Sequence, residues 1–430
     1  IGSGLVGSEM CIRDRNINMK ILQINCMFQR GSTGKIVYDI HEALRLNDID
    51  SIVCYGRGSM PPSSVNVYKF CSDFEAHIHH LGVKYLSWLR YGGNFLSTKK
   101  LISFIEKNRP DIVHIHCINC YCVNIYRLLN FLAVNKIITI ITNHAEFLYT
   151  GNCPHAYDCE KWKTSPGCGN CPILLEATGT SLKDRTREAW QKMKASFDLF
   201  EADKCVFVGV SPWVKQRVLS SSISKRFRCD VIENGVNTNI FFKRDFDCLP
   251  LKLNNKKKIV FHATASFSLG EHDLKGGHYL IRLAKMMPDF NFVVASMYCE
   301  PIKDIPDNVI LWGPAKNQDE LAMLYSIADV TVILSKRETF SMVTAESLCC
   351  GTPVTGFVAG GPESIAIRNY SSFVEYGNLQ MLEKSIRSFI EQHVDKNIIE
   401  GEAKKKFSNA KMVNQYISLY QSLLTFNRKQ

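Results

Sequence analysis

Short β-branched runs alternate with helix-patterned stretches along nearly the whole chain, and the alternation occurs twice. Such a pattern confines the fold to the α/β class, because parallel strands need crossover connections that lay helices over both faces of a sheet. In the first half, strands are predicted at 20–25, 51–55, 111–116, 136–142, 204–209 and 229–232. Between the first two, Ile36, Ile40, Ala43 and Leu44 recur on one helix face. A second series is predicted at 259–263, 291–295, 309–311, 330–334 and 353–357, and 378–424 reads as mainly helical. Two such halves imply two Rossmann-like domains with parallel sheets facing a central cleft, where the carboxyl ends of both sheets meet one ligand.

The 430 residues exceed what one core usually supports, in agreement with two domains. Residues 1–18 have no repeating apolar face and read as a non-native or artefactual leader. The first domain is expected at 19–240 with a cysteine-rich insertion at 150–174, then a linker at 241–255 and a second domain at 256–409. A C-terminal helix at 410–430 is expected to cross back to the first domain. The longest apolar candidate, 131–142, contains Asn135 and Lys136 and falls short of the roughly 18 residues of a membrane span. A net charge of +11 favours an anionic partner, whether nucleic acid, acidic lipid headgroups or a phosphorylated ligand. Most of the seventeen cysteines sit singly in apolar stretches, which fits a reducing cytoplasm better than a disulfide framework.

The most informative segment runs from Ser335 to Val354. A strand delivers a loop carrying Glu338; Ser341 then caps a helix that carries Glu346 and ends at Gly351 and Pro353. Free amides at the helix start, near Phe340, Ser341, Met342 and Val343, suit phosphate oxygens, and a carboxylate one turn inside suits a ribose diol. Two glutamates at this spacing, taken alone, are more often a cap and a solvated side chain. Their ordered neighbours decide otherwise. Glu338 and Glu346 match the E-x7-E motif of retaining glycosyltransferase family 4, of the GT-B fold. The stretch Leu324 to Val330 resembles the run before that motif, Gly360 to Ile365 resembles the glycine turn after it, and Val231 to Asn237 resembles the Asn-Gly-Val-Asp hinge with Asn237 in place of Asp.

The resemblance implies that Glu338 positions the donor sugar, that Glu346 holds ribose, and that Lys275, in Asp273-Leu274-Lys275-Gly276-Gly277, neutralises the donor diphosphate. The family's preceding arginine is missing from 261–268, with Arg282 and Lys285 as candidate substitutes. In the first domain, Arg30 to Lys35 opens a helix and lacks the glycine and hydroxyl spacing of a P-loop. Gly31 and Gly34 are donor-contact candidates there, with a simple tight turn as the competing reading. His144, after the predicted strand at 136–142, is implied to contact donor sugar or diphosphate; His114 and His116 read as buried.

Cys153, Cys159, Cys168 and Cys171 form C-x5-C-x8-C-x2-C, which suits a closed structural zinc site. Two disulfides or unliganded thiols stay open as alternatives. The run from His144 to Pro172 resembles an insertion of colanic-acid-type exopolysaccharide glycosyltransferases, where an Asp usually stands in place of Ala145. The expected activity is therefore transfer of a hexosyl unit, with retention, from a nucleotide diphosphate sugar to a saccharide or lipid-linked acceptor in bacterial exopolysaccharide or lipopolysaccharide assembly. No catalytic cofactor is expected. The expected place of work is the cytoplasm, peripheral to the inner face of an anionic membrane, with no nucleic-acid partner. A GT-B epimerase or phosphorylase, or a zinc-stabilised binding module, are the competing readings.

Overall fold

The computed structural model describes residues 19–59, 65–245, 257–270, 273–302 and 304–427. The expected leader at 1–18 and the linker residues 246–255 lie outside the described residues. Strands β1 (Lys20–Asn25), β2 (Asp50–Tyr55), β3 (Val67–Lys69), β4 (Ile112–Ile115), β5 (Ile138–Asn143), β6 (Cys205–Gly209) and β7 (Arg228–Val231) form one sheet in the order β3-β2-β1-β4-β5-β6-β7. Strands β8 (Lys258–Phe267), β9 (Phe290–Cys299), β10 (Val309–Gly313), β11 (Val330–Ile333), β12 (Val354–Phe357) and β13 (Ser371–Val374) form a second, in the order β10-β9-β8-β11-β12-β13. Neighbouring strands pair in parallel in both sheets, as in β1, where Leu22 lies opposite Ile52 of β2 and Val113 of β4. These are the two Rossmann-like halves of a GT-B architecture.

Near-continuous burial explains the strand composition. In β4 and β5 every residue is buried, because helices cover both faces and no solvent side remains to call for polar residues. The edge strands β3 and β13 were not expected from sequence; at three and four residues they are too short to display a pattern. Among the helices, α1 (Gly31–Leu46), α2 (Asp73–Leu86) and α3 (Phe95–Asn108) belong to the first domain. Ile36, Ile40 and Leu44 of α1 are buried as their spacing requires.

The helical end comprises Leu379–Glu391, Lys396–Phe407 and Asn409–Asn427. The last helix crosses back: Met412, Tyr416, Tyr420 and Leu423 pack with Ile21, Ile36, Ile112 and Ile138 of the first domain. The crossing is fixed where Val236 N–H donates to Phe407 O at 2.7 Å and Asn409 N–H donates to Val236 O at 3.1 Å. Gly235 is required there, since a Cβ would lie 2.7 Å from the Asn409 Cα. In the expected linker, Phe241 is buried against Tyr325 and Arg244 pairs with Asp319 at 2.6 Å, so its first residues are part of the packed second domain's edge.

Candidate functional site

The loop after β11 delivers Glu338 and then the helix Met342–Cys349. Ser341 caps that helix, its hydroxyl accepting from Thr344 N–H at 3.2 Å, which leaves the Met342 and Val343 amides without intrahelical partners. Phe340, beside them, is buried against Phe407 and anchors the loop. Gly361 lets the following turn touch this loop, because a Cβ there would lie 2.5 Å from the Phe340 amide nitrogen. Glu338 N–H donates to Ala359 O at 3.0 Å, and Gly361 N–H donates to Glu338 O at 2.8 Å.

Lys275 Nζ donates to Glu338 Oε1 at 2.5 Å. Asp273 sets the lysine turn, its carboxylate accepting from the amides of Lys275 at 3.0 Å and Gly277 at 2.8 Å. Gly276 (φ 80°) lies where a Cβ would meet the Leu334 carbonyl oxygen at 2.4 Å, which brings this turn against the β11 loop. Burial raises the Glu338 carboxyl, but the Lys275 ammonium and hydrogen bonds from Lys275 and Ser335 outweigh it and hold the group below its ordinary 4.5.

Glu346 lines a cavity of about 350 Å3 together with Ala263, Met297, Asn317, Leu321 and, from the first domain, Lys35 of α1. Burial pushes its carboxyl up to about 7, against the lowering effects of the Tyr325 hydroxyl, which donates at 3.2 Å, and of Lys35. Apart from Val343 and Glu346, the walls of this cavity were not anticipated from sequence; small residues within β8 and β9, such as Ala263, Ala265 and Ala295, were the available signal. At the start of α1, Gly31 (φ 66°) has open space where a Cβ would stand, and Gly34 O accepts from Gln29 N–H at 3.0 Å in a tight turn.

His144 stands at the end of β5, but its imidazole is not free: Nε2 lies 3.2 Å from Nδ1 of His116. Burial lowers it to about 4, so it is neutral near pH 7. His114 and His116 are buried as expected, His114 between the Tyr420 hydroxyl at 2.8 Å and the Thr142 hydroxyl at 2.7 Å. The His144 carbonyl accepts from Thr339 Oγ1 at 2.8 Å, and Ser211 Oγ donates to Thr339 O at 2.7 Å, which joins the two domains beside Glu338.

A second histidine, unanticipated, lies within electrostatic reach of Glu338 and Lys275. His155 in the insertion has a buried Nδ1 without a partner among the described residues, and its imidazole is lowered first by burial while it senses the charges of Glu146, Glu338, Lys275 and Arg337. The adjoining residues clasp the β11 loop: Lys336 lies 5.6 Å over the Tyr157 ring, and Arg337 Nη2 is 3.5 Å from Asp158 Oδ1. Arg337 also stacks 5.3 Å over Trp213, whose ring lies 4.7 Å from the Arg217 guanidinium, and Arg217 in turn pairs with buried Glu146. Arg282 and Lys285 are exposed on the helix Gly277–Met286, with Arg282 over Tyr279, whereas Arg337, next to Glu338 in the chain, is directed to Trp213 and Asp158.

The cysteine insertion differs from expectation. Cys153, Cys159, Cys168 and Cys171 are free thiols, and among the described residues no group of three or more His, Cys, Asp or Glu side chains is placed to hold a metal ion. The residues as arranged do not fit the closed zinc site. Cys153 and Cys168 are instead buried in an aromatic core whose centre is Trp162, with Trp162 Nε1 donating to Cys159 O at 2.7 Å and Trp190 Nε1 donating to Trp162 O at 2.9 Å.

Comparison with known proteins matches each half separately. The family model described as Glycosyltransferase Family 4 matches residues 33–240, and that described as Glycosyl transferases group 1 matches residues 266–410. A D-inositol 3-phosphate glycosyltransferase of Mycolicibacterium gilvum is 29% identical over 160 residues, 34% of this chain and 35% of that protein. An N-acetyl-alpha-D-glucosaminyl L-malate synthase of Bacillus anthracis is 29% identical over 125 residues, 28% of this chain and 32% of that protein. The matched segments thus span about a third of the length of these relatives. Among solved structures, sucrose-phosphate synthase of Thermosynechococcus elongatus superposes with a TM-score of 0.63 at 16% identity, covering 95% of this chain and 100% of that one. Anabaena HepE in complex with UDP-glucose superposes with a TM-score of 0.59 at 14% identity, covering 94% of this chain and 100% of that one.

Proposed function

We propose that the cleft of this chain, whose halves match the models described as Glycosyltransferase Family 4 and Glycosyl transferases group 1, transfers a hexosyl unit, with retention, from a nucleotide diphosphate sugar to an acceptor hydroxyl. The observation that carries this reading is the placement of Glu346 in the cavity wall, one helical turn from the free amides at Met342 and Val343 and on the same loop-helix unit as the Lys275–Glu338 pair. Glu346 accepts from the ribose diol and the cavity receives the base. The diphosphate lies against the Met342 and Val343 amides and Lys275, with Arg337 replacing the family's missing arginine. Solved neighbours in complex with UDP and with UDP-glucose support a nucleotide sugar as donor.

As the glycosidic bond to the leaving diphosphate breaks, negative charge grows on its oxygen and is stabilised by these fixed donors. The donor diphosphate takes the Lys275 ammonium from Glu338, which frees the carboxylate to accept from sugar hydroxyls. Glu338 therefore positions the sugar. No enzymic nucleophile is needed, since the leaving phosphate oxygen accepts the acceptor proton on the same face. His144, neutral and held by His116, presents its ring to the sugar side. The clasp of the insertion on the β11 loop excludes water, which limits donor hydrolysis.

The acceptor is a saccharide or lipid-linked saccharide of cell-surface polysaccharide assembly, handled at the inner face of an anionic membrane. Among the described residues no helix is long and apolar enough to cross a membrane. Incubating a panel of sugar nucleotides with a lipid-linked acceptor and identifying products by mass spectrometry tests the reading. Free nucleoside diphosphate with a lengthened acceptor is expected; an epimerised sugar nucleotide, or a sugar 1-phosphate formed only with phosphate, overturns it.

A further inference from the structure

Helix α2 carries its apolar residues on two opposite faces. Ala76, His79 and Val83 are buried against the domain. Phe74, Ile78, Leu81 and Tyr85 recur at four-three-four spacing on the other side and are 75, 44, 39 and 59% exposed. A surface helix ordinarily turns polar residues to that side. The apolar surface continues past the helix end through Trp88, Phe95 and Leu96, all exposed. Scattered exposed apolar residues are ordinary, whereas a contiguous patch of this kind marks an interaction surface.

The charges around the patch are mainly positive. Asp73 is held by Arg57 at 3.0 Å and Lys69 at 2.6 Å. The Glu75 carboxylate accepts from the Leu96 and Ser97 amides, each at 2.9 Å. Lys84, Lys99, Lys100 and Lys107 are exposed, and α3 sets only Glu106 against its three lysines. Between α2 and α3 a groove of about 660 Å3 is walled by Phe74, Leu96 and Phe104 and rimmed by Lys99, Lys100 and Lys107. Aromatic and aliphatic side chains bordered by lysines match an interface that is apolar below and anionic above, the headgroup–acyl boundary of an acidic bilayer.

We propose that α2 and the start of α3 are the face by which this protein docks on a bilayer containing anionic lipid. The Phe74–Ile78–Leu81–Tyr85 stripe enters the acyl boundary, and the four lysines meet lipid phosphates. The assignment rests on the membrane partner named above and gives that partner a surface; it does not depend on the chemistry of transfer.

Flotation of the full chain with mixed phosphatidylcholine–phosphatidylglycerol vesicles, and with pure phosphatidylcholine, tests it. The protein is expected to float with the mixed vesicles and to be released by salt. The Lys99→Ala/Lys100→Ala variant should partition about fivefold more weakly per lysine. The Phe74→Ser/Ile78→Ser/Tyr85→Ser variant should stay at the bottom, and its binding of nucleoside diphosphate should be unchanged, since none of these residues touches the cleft. Equal flotation of the stripe variant overturns the face while leaving the membrane partner standing. Failure of the unaltered protein to float overturns both. A dimer seen by light scattering that the stripe variant dissolves assigns the patch to a second copy and overturns the proposal.

Discussion

Lys275 Nζ and Glu338 Oε1 lie 2.5 Å apart, which ties the turn before the helix Gly277–Met286 to the loop after β11. The pair assembles, at one point of the cleft, the cation for a leaving diphosphate and the carboxylate for a sugar. Neither sits deep enough to be a structural ion pair alone, since the side chains retain 35% and 24% of their exposure.

Replacing Lys275 by Ala is expected to lower kcat by about 10²- to 10³-fold, the usual cost of removing one preorganised charge stabiliser. Glu338→Gln should lower kcat with little change in nucleotide affinity. Steady-state kinetics beside calorimetric nucleotide titration separate the two. Loss of the ammonium also removes the main influences that hold the Glu338 carboxyl below 4.5, so its pKa should rise in the Lys275 variant.

Glu346 carries its proton up to about pH 7, whereas an unfolded glutamate releases it near 4.5. Between these values the folded state binds more protons at this carboxyl, so the contribution of Glu346 to stability declines as pH rises toward 7 and then levels off. Glu346→Gln should remove that contribution, read as the difference between the melting temperatures of the variant and the unaltered protein across the same window. Nucleotide affinity should increase from pH 6 to pH 8 in the unaltered protein, because the ionised carboxylate is the better ribose acceptor. Glu346→Ala should weaken nucleotide binding by about 10- to 100-fold, the value of a charge-assisted hydrogen bond.

His155 offers a buried nitrogen with no partner among the described residues, within electrostatic reach of the Lys275–Glu338 pair. His155→Ala is expected to reduce kcat by about tenfold with nucleotide affinity retained, the scale of one neutral hydrogen bond. His155→Gln should recover part of the loss. A drop in thermal stability without a change in kcat would contradict a role at the donor sugar.

The insertion is held by aromatic packing, with Trp162 fully buried and the Arg217 guanidinium 4.8 Å over its ring. Trp162→Ala should cost about 3–5 kcal/mol in denaturant unfolding, as expected for an aromatic removed from a packed core. A strong zinc chelator should leave the melting temperature of the unaltered protein unchanged, since among the described residues no metal-holding group is assembled.

The legible part of the site is the part encoded over short stretches. Glu338, Ser341, Glu346, Gly351 and the Asp273–Gly277 turn are set by strand, cap and glycine rules that act within a few residues, and the structure places them as one loop-helix unit with one lysine turn against it. His144 was legible as a strand-end residue, but the ring stacking that occupies it, 5.4 Å from His116, depends on a neighbouring strand. The cysteine spacing pointed to a zinc site, yet spacing says nothing about side-chain direction, and burial beside Trp162 and Trp190 turned Cys153 and Cys168 into core residues.

By itself the sequence determined two parallel α/β halves, the helical end and the acidic pair, because periodicity, capping and motif order are local properties of a chain. Only the tertiary structure decided what meets what. It set His155 of the insertion within electrostatic reach of Glu338, brought Arg217 and Arg337 to the Trp213 ring, and placed Lys35 of α1 in the wall of the cavity that Glu346 lines. It also left the Phe74–Tyr85 stripe facing outward. Each of these joins residues far apart in sequence, and such contacts follow from how helices and sheets pack into one cleft, which no local rule specifies.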